Sequence, residues 1–174
     1  MTASGAGDLT VRLFRDDDAV PLTAMLHRAY ADLAATGLNY TAATQDVMTT
    51  RHRADGGRCW VVEDDGALVA TLTVSVPPGR GIRALTPVAR EPRRAWLNQL
   101  AVAPEHRGQG LARSLWSGAL AWARDEQITA IGADTALSAD RLVGMYGRWG
   151  FEHVDTVHWA GKTYDSAVLL HQLI

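Results

Sequence analysis

One mixed β-sheet with helices on its faces, an α/β (α+β) architecture, is what this sequence predicts. Two periodicities alternate along the chain in the order β, α, α, β, β, β, α, β, α, β, β. Apolar residues at every second position mark a strand face, and apolar residues at helical spacing mark a helix face. The length of 174 residues agrees, being about one domain, and a chain this long buries roughly 70% of its unfolded surface without covalent staples. No internal repeat or linker interrupts the pattern, so residues 9–174 are expected to form a single domain behind a disordered start over residues 1–8.

Leu9, Val11 and Leu13 alternate along Leu9–Phe14 and predict a half-buried strand. Asp16, Asp17 and Asp18 follow, offering a capping oxygen and negative charge where a helix N-terminus wants both. Pro21 fits the first turn. Leu22, Met25, Leu26, Ala29 and Leu33 then recur at helical spacing, and Gly37 stands where a left-handed C-terminal cap belongs. Between Leu38 and Asp55, Asn39 and Tyr40 read as loop and Gln45–His52 as a short helix. Cys59–Glu63 and Ala67–Val76 are β-rich runs joined by Asp64, Asp65 and Gly66, a hairpin that Pro77 and Pro78 end. Gly79–Arg94, rich in Arg, Gly and Pro, reads as irregular, and such a length inside a compact domain is usually functional or mobile. Trp96–Val102 is a strand stopped by Pro104, and Glu105–Gly110 is a tight glycine turn. Leu111, Leu115, Ala119 and Trp122 then mark a helix. Ile128–Asp134 reads as a strand, Asp140–Trp149 as a short helix, and Phe151–Trp159 with Tyr164–Leu173 as a closing strand pair around Ala160–Lys162.

Composition removes several functions. A hydrophobic content of 47%, a charged content of 21% and a mean hydropathy of -0.07 describe a globular chain. A formal charge of -2 provides no field to gather nucleic acid or an anionic membrane, and no apolar run approaches the roughly 20 residues that span a bilayer. The single cysteine, Cys59, forms no intrachain disulfide and points to a reducing compartment, and the start carries no signal-peptide pattern, so a cytoplasmic location is expected. The six histidines show no metal-ligand spacing, and no serine-hydrolase elbow occurs, so neither metal catalysis nor a serine nucleophile is predicted.

The most informative stretch is Leu100-Ala-Val-Ala-Pro-Glu-His-Arg-Gly-Gln-Gly-Leu-Ala112, a strand that ends in a glycine turn and runs into a helix. Backbone N–H groups at such a junction lack intrahelical partners and point outward with the positive end of the helix dipole. Gly108 and Gly110, without Cβ atoms, let the backbone close on a bulky anion such as a pyrophosphate. A phosphate-binding loop of the Gly-Lys-Ser/Thr type is excluded by Leu111 and Ala112, and the dinucleotide fingerprint fails at Arg113. A nucleotide-binding domain using the same turn is therefore the weaker alternative, and a purely structural turn the bland one.

The sequence here resembles the GNAT acyl-CoA-dependent N-acetyltransferases. Their coenzyme motif, Arg/Gln-x-x-Gly-x-Gly/Ala after a strand ending in Leu-x-Val-x-Pro, is matched by Arg107, Gly110 and Ala112 after Leu100, Val102 and Pro104. A second signature, Tyr-x-x-x-Gly-Phe, stands as Tyr146, Gly150 and Phe151. The resemblance covers nearly the whole chain. It implies a mostly antiparallel sheet of about seven strands flanked by about four helices, with Trp96–Val102 and Ile128–Asp134 splayed apart. It further implies acetyl-CoA as acyl-donor cosubstrate, with no metal. The pantetheine arm would lie against Leu100, Ala101 and Val102, and the pyrophosphate would take amides from Arg107, Gly108, Gln109, Gly110, Leu111 and Ala112.

Acetyl transfer to an amine needs a base for the amine proton and an acid for the departing thiolate. Tyr146, at the family's tyrosine position, is the candidate acid, and Asp134, at an acidic position used by some members, is the candidate base, with a water relay as the alternative. Trp96 and Asn98, alternating with Leu100, occupy the strand face where other members carry a Glu or His; neither is a useful base, and both are placed in the acceptor site. The family often has an Asn where Ala139 stands, so that contact is missing or comes from Ser138 or Asp140. Asn39 and Tyr40 are acceptor-pocket residues by position. Arg80, Arg83, Arg90, Arg93 and Arg94 either hold a substrate carboxylate or phosphate or form a solvated face. The acceptor is expected to be a small-molecule or peptide amine, and a homodimer is compatible with the sequence. A non-catalytic acyl-CoA-binding or regulatory module of the same fold is the competing function.

Overall fold

The computed structural model describes residues 8–174. Of the disordered start expected over residues 1–8, all but Asp8 lies outside the described residues. Seven strands, β1 (Thr10–Leu13), β2 (Gly57–Asp64), β3 (Ala67–Ser75), β4 (Arg94–Val102), β5 (Ala130–Ala136), β6 (Glu152–Val157) and β7 (Ser166–Gln172), form one sheet. Its order is β1-β2-β3-β4-β5-β7-β6. Every pairing is antiparallel except β4 with β5. The helices are α1 (Ala19–Ala35), α2 (Val47–Asp55), α3 (Arg80–Leu85), α4 (Leu111–Asp125) and α5 (Asp140–Arg148). None of the described helices is long and apolar enough to cross a membrane.

Antiparallel neighbours need only hairpins, but β4 and β5 run parallel and are joined by a crossover that contains α4. The apolar stripe of α4 buries Leu111, Leu115, Trp116 and Ala119 on the sheet. The helix α1 buries Leu22, Met25 and Leu26; Leu22 and Leu26 are fully enclosed, and truncating either to Ala would cost about 2–5 kcal/mol. A smaller apolar cluster joins Ile82 and Ala89 to Trp96, Val157 and Val168.

Two expectations change. Leu9, Val11 and Leu13 are 42%, 53% and 45% exposed, while the alternate residue Arg12 turns inward and donates to both oxygens of Asp18 at 2.7 and 2.8 Å and to Glu63 at 2.9 Å. β1 is a four-residue edge strand, and an inward charge is a common device at a sheet edge. Asp18 is thereby spent on Arg12 and the Arg15 N–H instead of capping α1 through its side chain. The stretch Gly79–Arg94 is not irregular: it contains α3 and a 3₁₀ turn over Pro87–Arg90, capped by the Thr86 hydroxyl accepting from the Val88 N–H.

Candidate active site

The glycine turn between β4 and α4 is open toward solvent. Gly108 and Gly110 both have φ of +77°, and a Cβ added at either would meet nothing within 4 Å. An ordinary residue held in this left-handed region costs roughly 1–2 kcal/mol, so both glycines answer a backbone need. Gly110 is the N-cap of α4 and no side chain caps that end. The Ser114 N–H closes the first turn onto Gly110 O at 2.9 Å, leaving the N–H groups of Leu111, Ala112 and Arg113 without intrahelical partners. Arg107 is turned away from this mouth. Its guanidinium donates to Ala29 O at 2.6 Å and to Asp32 at 3.0 Å, mooring the turn to α1. His106 meets Asp64 of the β2–β3 hairpin at 2.9 Å and fixes the other side.

Beside this turn the sheet splits. β4 and β5 pair only through Arg94 with Ala130, Ala95 with Ile131 and Trp96 with Gly132, although both strands continue well beyond. At the same level β4 carries a bulge, since Thr73 faces Asn98 while Thr71 faces Ala101, which sets two residues against Leu72. Gln99 adopts a φ of +52° there. A bulge bends its strand and interrupts the ladder, which carries β4 away from β5. It also breaks the simple alternation expected from Trp96 through Leu100: Ala101, not Leu100, continues the face of Trp96 and Asn98. The Tyr30 hydroxyl donates to Leu100 O at 2.7 Å and holds the bulge against α1.

A cavity of about 720 Å³ reaches into the split. Asp134, on β5, is the carboxylate at its wall. Trp96 Nε1 donates to Asp134 Oδ1 and Trp159 Nε1 donates to Asp134 Oδ2, each at 2.8 Å. Both indoles fit because a glycine lies beneath them: a Cβ at Gly132 would overlap the Trp96 ring, and one at Gly81 would come within 2.6 Å of Trp159. Burial pushes the Asp134 carboxyl above the usual range, the two indole N–H groups pull it down, and the charge of Arg53 adds to that pull. Tyr146 lines the same cavity. Burial lifts its phenol well above the ordinary value, nearby Tyr30, Asp134 and Tyr40 add to the shift, and no hydrogen bond offsets it. The phenol is therefore protonated at neutral pH. Its position is set by the end of α5, where Phe151 N–H bonds back to Tyr146 O at 3.0 Å and Gly150 takes a φ of +84°. That is a glycine-based C-terminal stop, which explains why Gly-Phe follows the tyrosine at this spacing.

The remaining candidates divide. Tyr40, Trp96, Asn98 and Leu100 line the cavity. Tyr40 exchanges a hydrogen bond with Thr135 at 2.8 Å and accepts one from the Ala136 N–H. Asn98 donates to Ser75 Oγ, and its Oδ1 is buried without a partner. Asn39 is absent from the cavity wall, its side-chain amide being spent on Gly161 O and the Thr163 N–H. Ala101, Val102 and residues 107–112 belong to the strand edge and the turn outside this cavity, and Ser138, Ala139 and Asp140, at the β5–α5 junction, do not line it either. Of the arginines in the 79–94 stretch, Arg80 and Arg83 line the cavity and Arg90, Arg93 and Arg94 do not. Tyr30, Arg53, Trp159 and Tyr164 line it without having been singled out from the sequence. The signal available for the last two was an aromatic pair, Trp159 and Tyr164, flanking the turn of the closing hairpin. Among the described residues no group of His, Cys, Asp or Glu could hold a metal ion.

A seven-stranded mixed sheet split at its one parallel pair, with an uncapped helix start beside the split, is the scaffold of the GNAT acetyltransferases. The chain belongs to that family: the model described as "Acetyltransferase (GNAT) family" matches residues 24–151. It is 24% identical over 166 residues to S-alkylcysteine N-acetyltransferase of Bacillus subtilis (strain 168), covering 94% of this chain and 88% of that protein. It is 32% identical over 69 residues to S-(2-succino)cysteine N-acetyltransferase of the same organism, and 31% identical over 106 residues to N-acetyltransferase 8B of Homo sapiens. Those matches cover 40% and 60% of this chain and only 42% and 43% of the relatives' length. In fold it is similar to the ribosomal-protein-S18-alanine N-acetyltransferase from Escherichia coli, with a TM-score of 0.72 at 14% identity over 95% of this chain and 94% of that one. The PaiA N-acetyltransferase from Thermoplasma acidophilum in complex with coenzyme A gives a TM-score of 0.69 at 11% identity, covering 95% and 99%.

Proposed function

We propose that this protein transfers an acetyl group from acetyl-CoA directly to a primary amine, without an acyl-enzyme intermediate. The observation that carries the reading is the opened β4–β5 pair, with a buried phenol and a half-buried carboxylate lining one cavity at the gap. The pyrophosphate of the coenzyme is assigned to the N–H groups from Arg107 to Ala112, and its pantetheine arm to the free edge of β4 along Leu100, Ala101 and Val102. A backbone amide at the Gln99 bulge polarises the thioester carbonyl as negative charge develops on its oxygen. The amine nitrogen bonds to the acyl carbon, and its proton passes to the Asp134 carboxylate, directly or through a water. The C–S bond then breaks, and the Tyr146 hydroxyl gives its proton to the leaving sulfur. Positioning of Asp134 by Trp96 and Trp159 keeps the base aimed at the gap.

The acceptor is a small molecule or a peptide. Among relatives, the S-alkylcysteine N-acetyltransferase is named for a small-molecule acceptor and the S18-alanine enzyme for a protein one. Thiol release from acetyl-CoA over a broad amine panel tests the reading, with calorimetry against acetyl-CoA, coenzyme A and ATP alongside. The expected result is binding of both coenzymes, no binding of ATP and amine-dependent thiol release. Coenzyme binding without any amine-stimulated release would make the protein a binding module instead.

A further inference from the structure

The acceptor cavity is electrically lopsided, and one of its charges has no ion-pair partner among the described residues. Among those residues Asp134 is the single carboxylate lining it, against His52, Arg53, Arg80, Arg83 and Lys162. None of residues 107–112 lines it, so these cations stand apart from the diphosphate turn. Arg53 is the informative one. It is half-buried, and its Nη1 donates at 2.8 Å to Gln45 Oε1, a neutral amide. The ion pairs among the described residues all involve other groups. Gln45 is itself held, its Nε2 donating to Thr50 Oγ1 and to Gln99 Oε1 at 2.7 Å each, so the guanidinium is fixed to the bulge residue of β4. Removing a guanidinium partly from water without a counter-ion is costly. A fixed guanidinium with free N–H donors is also the group that binds a carboxylate in a two-point fork. Arg83, whose Nε is buried without a partner, lines the same chamber.

Resting on the transferase reading, we propose that the acceptor is a free α-amino acid whose carboxylate sits on Arg53 and whose amino group faces Asp134. In an α-amino acid one carbon separates the two charged groups, so they must be met by opposite charges that are near each other but not in contact. Arg53 and Asp134 line this one chamber and form no ion pair with each other. Tyr30, Tyr40, Trp159 and Tyr164 wall the chamber and favour an apolar side chain on the acceptor. A peptide N-terminus brings an amide to Arg53 and leaves it unpaired, and a polyamine brings positive charge toward the cations.

The test compares L-methionine, L-phenylalanine and S-methyl-L-cysteine with the carboxamide of each, by thiol release from acetyl-CoA, in the natural protein, in Arg53→Met and in Arg53→Lys. The natural protein should favour the acids over the carboxamides by at least about 30-fold in kcat/KM, the loss typical when one partner of a desolvated charge pair is removed. Arg53→Met should bring the ratio near one, chiefly by raising KM for the acids, and Arg53→Lys should restore part of it. Equal use of acids and carboxamides by the natural protein overturns the assignment and leaves the transferase reading intact, as does an acid preference that survives in Arg53→Met. If Arg53→Met does not fold, the ratio in the natural protein decides. Thiol release with peptides or polyamines but with none of the acids overturns this inference alone, whereas no release with any amine of the broad panel removes the transferase reading, and this inference with it.

Discussion

The two halves of the proposed cleft, donor and acceptor, are built from different materials. The donor side is backbone from one short stretch, the exposed N–H groups at the start of α4 and the edge of β4. The acceptor side is side chains drawn from α1, α2, α3, β4, β5 and the β6–β7 connection: Tyr30, Arg53, Arg83, Trp96, Asp134 and Trp159. Backbone donors suited to an invariant diphosphate demand only glycines and a helix start, so in the proposed arrangement that half constrains little else. Side chains from separate elements can be exchanged one at a time, which lets the acceptor change while the scaffold stays.

Breaking the donor half should have the largest effect. Gly110→Glu adds a carboxylate at the positive end of α4 and forces a side chain onto a φ of +77°. Coenzyme A affinity measured by calorimetry should fall at least about 100-fold, roughly 2.7 kcal/mol, from like-charge repulsion and loss of approach. The fold should survive, because a Cβ there meets open space. Unchanged affinity would put the phosphates elsewhere.

Tyr146→Phe strikes the chemistry instead. The ring's edge contacts with Trp149 and Phe151, at 5.9 and 5.1 Å between centroids, do not depend on the hydroxyl. The kcat should drop about 100-fold, in the range of a lost general acid, while coenzyme A affinity stays close to that of the natural protein. The two variants thus separate binding from turnover. A Tyr146→Phe variant with undiminished kcat would leave the phenol a packing residue.

The same contrast explains which parts were legible in the sequence. The turn at Gly108 and Gly110 and the Tyr146-to-Phe151 stop are local: a positive φ, a helix end and a hydrogen bond back along the chain are all specified within six residues. Trp96 and Asp134 could be nominated from strand position, but their contact could not, since it joins residues 38 apart through the parallel pairing of two strands. Arg53 reads as an ordinary polar residue near the end of a helix. Only the docking of α2 under Gln45 and Gln99 turns it into a half-buried charge. The exposed face of β1 departs from its pattern for a related reason: Leu9, Val11 and Leu13 alternate like a buried face, but an edge strand lacks the layer that would bury it. Asn39 was nominated by loop position, and its amide is consumed in tying that loop to residues 161–163.

The subtlest prediction concerns proton affinity within the acceptor half. Trp159→Phe removes one of the two indole N–H groups that stabilise the ionised Asp134, and the smaller ring does not crowd Gly81. Burial has already raised this carboxyl, and the N–H groups oppose that shift, so losing one raises it further. In the proposed mechanism Asp134 serves as base only when ionised. The kcat/KM therefore falls as pH drops through the pKa of Asp134, and in Trp159→Phe this acid limb should move to higher pH, with rates converging on those of the natural protein well above it. Stability carries the same sign: a carboxyl raised above its ordinary value holds its proton more tightly folded than unfolded, so ionising it costs stability as pH rises, and Trp159→Phe enlarges that cost. If Trp159 merely packed against Gly81, the variant would lower the rate equally at every pH and leave the limb in place. A pH–rate profile of the two proteins side by side distinguishes these outcomes, because only a hydrogen bond to the ionised carboxylate moves the limb.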